Sequence, residues 1–133
     1  MPQGPVEEIR RLAGEIESKN AELVELYSDF LGTKEDSGAE LTEDDQKLKD
    51  TLDELQEAAE TFSGQFDIGF FGRLRGRRAD DQRRIGQKFR DLGRLGGEAD
   101  HLMAAVRPSP EVRQSWGEIR RRWQRIAEIV RGF

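Results

Sequence analysis

The 133-residue chain contains no cysteine. It therefore has no disulfide framework, no thiolate nucleophile and no zinc site built on sulfur; the absence does not fix the compartment. It has one histidine, His101, which a serine triad would need beside a serine on a sharp turn, and no Gly-x-Ser-x-Gly occurs. The phosphate-binding patterns Gly-x-x-x-x-Gly-Lys and Gly-x-Gly-x-x-Gly are absent too. No apolar run approaches the roughly 18–20 residues of a membrane span, and Met1-Pro2-Gln3-Gly4 does not open a signal peptide. The expectation is a soluble, non-enzymatic chain that uses no cofactor and no metal.

Large apolar residues are scarce. Leu, Ile, Val and Phe number 31, just above the share found in chains that stay disordered. One domain with a thin core over residues 1–133 fits that supply. Charge is abundant: 37% of residues are charged and the net charge is −5. The total hides a split, because residues 1–66 carry 18 acidic and 6 basic groups, whereas residues 67–133 carry 9 acidic and 16 basic groups.

Four segments repeat apolar residues at helical spacing. The first runs from Pro5 to about Leu31 through Ile9, Leu12, Ile16, Leu23, Tyr27 and Phe30, with Gly32 placed to end it. Residues 32–41 read as a connection. Thr42 caps the second segment, whose first turn carries Glu43, Asp44 and Asp45, and Leu48, Leu52, Leu55, Ala59, Phe62 and Phe66 follow in heptad spacing. Three glycines break the pattern over residues 67–76. The third segment spans about Arg77 to Val106, and Ser109 and Pro110 start the fourth, which carries Val112, Trp116, Ile119, Trp123, Ile126 and Val130.

Short connections between long amphipathic helices predict an all-α fold, an antiparallel up-down-up-down four-helix bundle. The turns set levels: Leu23 beside Leu52, Ile16 beside Ala59, Met103 beside Trp116, Gly96 beside Trp123, Leu92 beside Ile126 and Phe89 beside Val130. Gly93, Gly96 and Gly97 each cost about 1 kcal/mol in a helix relative to Ala. Room for the Trp123 indole accounts for Gly96. The charge split predicts an acidic hairpin of the first two helices lying beside a basic hairpin of the last two. Arg120 and Arg121, next to Ile119, are expected to border the core and cover it with their stems.

Two features suggest binding chemistry. Glu98-Ala99-Asp100-His101 has the Glu-x-x-His spacing of di-iron bundles, but only one copy occurs, and His101 falls on the face turned away from the core stripe. Phe70-Phe71-Gly72-Arg73-Leu74-Arg75-Gly76-Arg77-Arg78, continued by Arg83 and Arg84, interleaves cations, aromatics and glycine. Such a patch suits a phosphate backbone, single-stranded bases or an anionic membrane surface. Alternatively Phe70 and Phe71 plug the open end of the bundle beside Val6, Phe66 and Phe133. The acidic balance weighs against general nucleic-acid binding.

The stretches Asp80-Asp81-Gln82-Arg83-Arg84-Ile85, Phe89-Arg90-Asp91-Leu92, Glu98-Ala99-Asp100-His101-Leu102-Met103, Pro108-Ser109-Pro110, Trp116-Gly117-Glu118-Ile119-Arg120 and Trp123-Gln124-Arg125-Ile126-Ala127 together resemble the C-terminal part of a group of small exported helical bacterial proteins of unknown function, common in acidobacteria. The resemblance covers about residues 77–130. It implies export to the periplasm or beyond the cell and implies no activity. Leu41-Thr42-Glu43-Asp44-Asp45-Gln46 is similar, with one extra residue, to the Leu-Thr-x-x-Gln motif of periplasmic helical stress chaperones, although capping accounts for Thr42 by itself.

The sequence is thus read as a helical-bundle protein acting through contacts with a protein partner or an envelope surface. Two alternatives stay open: a binder of nucleic acid or anionic membrane through the Arg-rich residues 70–84, and a metal-binding bundle using His101.

Overall fold

The computed structural model describes residues 4–67 and 78–133. Its elements are α1 (Pro5–Asp36), α2 (Glu43–Asp67), α3 (Arg78–Val106) and α4 (Pro110–Arg131). They form the expected antiparallel four-helix bundle, in which α1 packs on α2 and α4, and α2 packs on α3. The α3–α4 seam is more open, with fewer close backbone approaches than the other three.

Local chemistry explains most helix ends. Pro5 occupies the first turn of α1 and is followed by Glu7 and Glu8, where the exposed N–H groups and the dipole favour negative charge. At the start of α2, the Thr42 hydroxyl accepts from the Asp45 N–H at 3.1 Å and the Asp45 carboxylate accepts from the Thr42 N–H at 2.8 Å. That is a reciprocal capping box with Asp in place of Glu. Ser109 caps α4 by accepting from the Val112 N–H at 3.4 Å.

One boundary differs from the sequence reading. Helix α1 passes through Gly32 and continues to Asp36, so residues 32–36 belong to the helix and not to the connection. The stop is set at Gly38, whose φ of +87° lies in the left-handed region. The Gly38 N–H donates to Glu35 O at 2.9 Å and the Ala39 N–H to Lys34 O at 3.2 Å. This six-to-one, five-to-two pair of bonds satisfies the last carbonyls of the helix. Gly32, exposed on the surface, only lowers propensity there.

The core is built from the predicted stripes. Ile9, Ile16, Leu23 and Tyr27 of α1 meet Leu48, Leu52, Leu55 and Phe62 of α2, Ile85, Phe89 and Leu92 of α3, and Val112, Trp116, Ile119 and Ile126 of α4. Phe89 lies between Phe62 and Trp123, with ring centroids at 6.2 and 5.5 Å, so one aromatic chain crosses the bundle from α2 to α4. The levels hold within about a turn: Asn20 reaches Leu52 and Gln56, Tyr27 reaches Asp45, and Gly96 meets Trp123. Val130 meets Gly86, one turn below the expected Phe89.

The acidic and basic hairpins are joined along α1 and α4. Arg125 Nε lies 2.8 Å from Glu8 Oε1, and Arg122 Nε lies 3.8 Å from Glu15 Oε2. Lys19 Nζ, 2.8 Å from Glu118 Oε2, runs with the opposite polarity. Arg120 and Arg121 are exposed and do not shield the core beside α1. Arg122 takes that place, its side chain 27% exposed and bonded through Nη1 to the Glu118 carbonyl.

Candidate interaction face

The Arg-rich patch falls mostly outside the described residues. Phe70, Phe71, Arg73, Arg75 and Arg77 lie there, as does the side chain of Arg78 at the first position of α3. Arg83 and Arg84 are described and exposed. Of the suggested apolar plug, Val6 and Phe133 pack against the core, and the other members lie outside the described side chains. His101 is exposed, and among the described residues no group of three or more His, Cys, Asp or Glu side chains is placed to hold a metal.

The open α3–α4 seam is where structure concentrates features that the sequence motifs did not. A hollow of about 170 Å³ lies between Trp116 and Trp123, with Gly96 and Gly97 as one wall and Asp100, Arg120 and Gln124 at its rim. The Trp116 indole N–H donates to Asp100 Oδ1 at 3.0 Å, and Arg120 Nε lies 3.4 Å from the same oxygen. Both contacts hold the rim in place. Trp116 is 5% exposed, whereas Trp123 is half-buried, so the hollow has one fixed wall and one partly wet wall.

A second hollow, about 530 Å³, opens farther along the seam. Gly86, Val130 and Phe133 supply its apolar surface, and Arg83, Arg90 and the amides of Gln82 and Gln87 supply its rim. Arg83 and Arg90 are seven residues apart and so share one stripe of α3. On α4, Arg113 and Arg131 fall on the same stripe as Arg120 and Gln124 by helical period. Among the described residues Arg83, Arg90, Arg113 and Arg131 are exposed and form no ion pair. Among the described side chains Asp100 is the one Asp or Glu lining either hollow, and it is already engaged.

Gly97, in the wall of the first hollow, is a glycine beside which an added β-carbon would meet nothing within 4 Å. Gly93 faces only the Trp123 indole nitrogen, at 4.0 Å. The α3–α4 face is thus a shallow lane with one apolar hollow, a second of mixed lining and a cationic border. The groove between α2 and α3 is different: its floor of Ala58, Phe62, Leu92 and Leu95 is bordered by both signs, Glu54, Glu57 and Glu98 with Lys88 and Arg94.

Sequence reasoning singled out the Arg-rich residues 70–84 and missed most of this face. Its signal was present in the spacing of Arg83 and Arg90, in the shared stripe of Arg113, Arg120 and Arg131, and in the excess of glycine on the same side of α3. Compared with known proteins, the chain matches no protein family, no curated protein and no solved structure. Among the described residues no helix is long and apolar enough to cross a membrane.

Proposed function

We propose that this chain is a non-catalytic interaction protein that uses the α3–α4 face to hold an anionic surface of a protein partner. The observation that carries the reading is the border of arginines that form no ion pair among the described residues, Arg83, Arg90, Arg113 and Arg131, along a seam whose first hollow is walled by Gly96 and Gly97. Cations left without internal partners raise the local concentration of an anionic surface and orient it on approach. The opposite hairpin, α1 and α2, carries the acidic surplus, which gives the molecule an electrostatic direction. The place proposed for this activity is outside the cytoplasm, on the resemblance of residues 77–130 alone.

The test is binding of fluorescein-labelled poly-glutamate, read by anisotropy. The parent protein binds at low salt and releases the polymer as ionic strength rises. The variant Arg83→Glu/Arg90→Glu/Arg131→Glu, altered only at exposed positions, keeps its helical circular dichroism and loses binding. Equal binding by that variant would overturn the proposal.

A further inference from the structure

The face has a shape as well as a charge, and the shape narrows the partner. Resting on the reading above, we infer that the α3–α4 lane docks an acidic amphipathic helix of another protein, two apolar side chains of which seat in the two hollows.

Three observations lead to a helix. Gly96 and Gly97 form one wall of the first hollow and Gly86 lines the second, and small residues allow a second backbone to come close. Each hollow has bulky apolar side chains in its wall, Trp116 and Trp123 in one and Val130 and Phe133 in the other, which a sugar–phosphate backbone does not match. Their spacing matches a helix: the first lies at the level of Gly96 to Asp100 and the second at that of Gln82 to Arg90. The centres are twelve residues apart on α3, about 18 Å at a rise of 1.5 Å per residue, and side chains eleven apart, which return to the same helix face about 16.5 Å away, reach into both hollows.

Charge sets the polarity of that helix. Arg83 and Arg90 border one side of the lane, and Arg113, Arg120 and Arg131 the other, so acidic residues flanking the two apolar anchors meet cations on both sides. A second copy of this chain offers a poorer match, because Val24, Leu26 and Phe30 of its acidic helix α1 are partly buried against its own core. Its acidic helices α1 and α2 expose polar and charged residues, and the non-polar exceptions among their described exposed positions are Pro5, Ala21 and Gly32. None of these fills an aromatic-walled hollow.

Gly97 offers a clean obstruction. A side chain there enters open space, so Gly97→Leu leaves the bundle intact and occupies the lane beside the Trp hollow. The probe is a labelled helical peptide with two leucines eleven residues apart, glutamate on both flanks and alanine elsewhere. Its control has the second leucine moved two places, which turns it to the opposite side of the helix. Anisotropy is expected to show the spaced peptide binding at least about tenfold tighter than the control, with a change in tryptophan emission, and Gly97→Leu removing that advantage.

Equal binding of the two peptides, with poly-glutamate still bound, would overturn the helix inference and leave the anionic-face proposal standing. Failure to bind any of the three would overturn both. A labelled DNA duplex binding more tightly than the spaced peptide would replace the helix by nucleic acid. Sedimentation showing a dimer that Gly97→Leu converts to monomer would make the lane an interface between copies, which also overturns it.

Discussion

Trp123 lies directly over Gly96: a β-carbon on that glycine would stand 3.0 Å from Cζ2, 3.2 Å from Cη2 and 3.3 Å from Cε2 of the indole. The ring has little freedom to withdraw inward, because Phe89 packs on it with centroids 5.5 Å apart. Close packing at this point fixes the relative level of α3 and α4. The same indole forms a wall of the first hollow, so the structural glycine and the candidate binding face share one side chain.

Substitution at adjacent glycines of α3 is therefore expected to act with opposite signs. Gly97→Ala meets open space and stabilises by up to about 1 kcal/mol through helix propensity. Gly96→Leu gains a similar amount in propensity but drives a branched side chain into the indole, for a net loss of about 1–3 kcal/mol. Urea midpoints should rank Gly97→Ala above the parent and the parent above Gly96→Leu. A Gly96→Leu protein as stable as the parent would show that Trp123 does not rest on this glycine.

Much of this arrangement is legible in the amino-acid pattern, for local reasons. Heptad spacing marks the buried stripes, Thr42 and Ser109 mark two helix starts, and short connections set the pairing that brings Gly96 to Trp123. What was misread depends on space. Gly32 and Gly38 are alike as residues, and only the left-handed φ at Gly38 decides which one ends α1. Arg120, Arg121 and Arg122 are likewise equivalent in a string, and their roles follow from which neighbour each faces: the Trp hollow for Arg120, solvent for Arg121 and α1 for Arg122. The first hollow is walled by Trp116 and Trp123 against Gly96 and Gly97, a consequence of side-chain volume across helices that periodicity along one helix does not report.

Asn20 interrupts the apolar stripe of α1 and is fully buried. Its Nδ2 donates to Leu52 O at 3.3 Å and to Gln56 Oε1 at 2.9 Å, while Oδ1 has no protein partner. A half-satisfied buried amide stabilises less than an apolar side chain of similar size, and in helical assemblies such a residue selects one register over others. Asn20→Leu is expected to raise the unfolding free energy by about 1 kcal/mol while broadening the methyl signals of the α1–α2 seam through loss of a unique register. A destabilised Asn20→Leu protein would show that the two amide bonds outweigh the orphaned oxygen.

Asp45 should make the bundle sensitive to acid. It is buried, with its carboxylate 2.6 Å from Lys34 Nζ and bonded to the Thr42 N–H, while its backbone carbonyl accepts from the Tyr27 hydroxyl. Burial pushes the carboxyl up, but the Lys34 ammonium and the Thr42 donors together outweigh burial and hold it below its ordinary value. A carboxyl depressed on folding stabilises fully above its unfolded pKa, near 4, and loses that contribution as pH falls through the lower folded value. Thermal melts from pH 7 to pH 2 should therefore decline below about pH 4, with Asp45→Asn losing about 1–3 kcal/mol at pH 7 and showing a shallower decline in acid. Parallel pH curves for the two proteins would place the acid sensitivity elsewhere.

The α1–α4 seam tests whether charge guides the docking of the two hairpins. Arg125 forks onto Glu8, Nε to Oε1 at 2.8 Å and Nη2 to Oε2 at 3.3 Å, and also reaches Glu128 at 3.2 Å. The guanidinium holds the Glu8 carboxyl below its ordinary value, so the pair is charged throughout the neutral range. Arg125→Glu leaves three carboxylates around one point and should lower the melting temperature at low salt. Glu8→Arg alone sets the new guanidinium against Arg125 and Arg11, with the same direction. Combining the two restores an attractive pair across the seam, although Glu128 and Arg11 then oppose their new neighbours, so recovery is partial. The double variant is expected to melt above either single variant at low salt, and the difference should shrink at about 1 M salt, where the screening length falls to about 3 Å. A double variant no better than the weaker single would mean that apolar packing of Ile9, Ile16, Ile119 and Ile126 sets the α1–α4 docking without help from these charges.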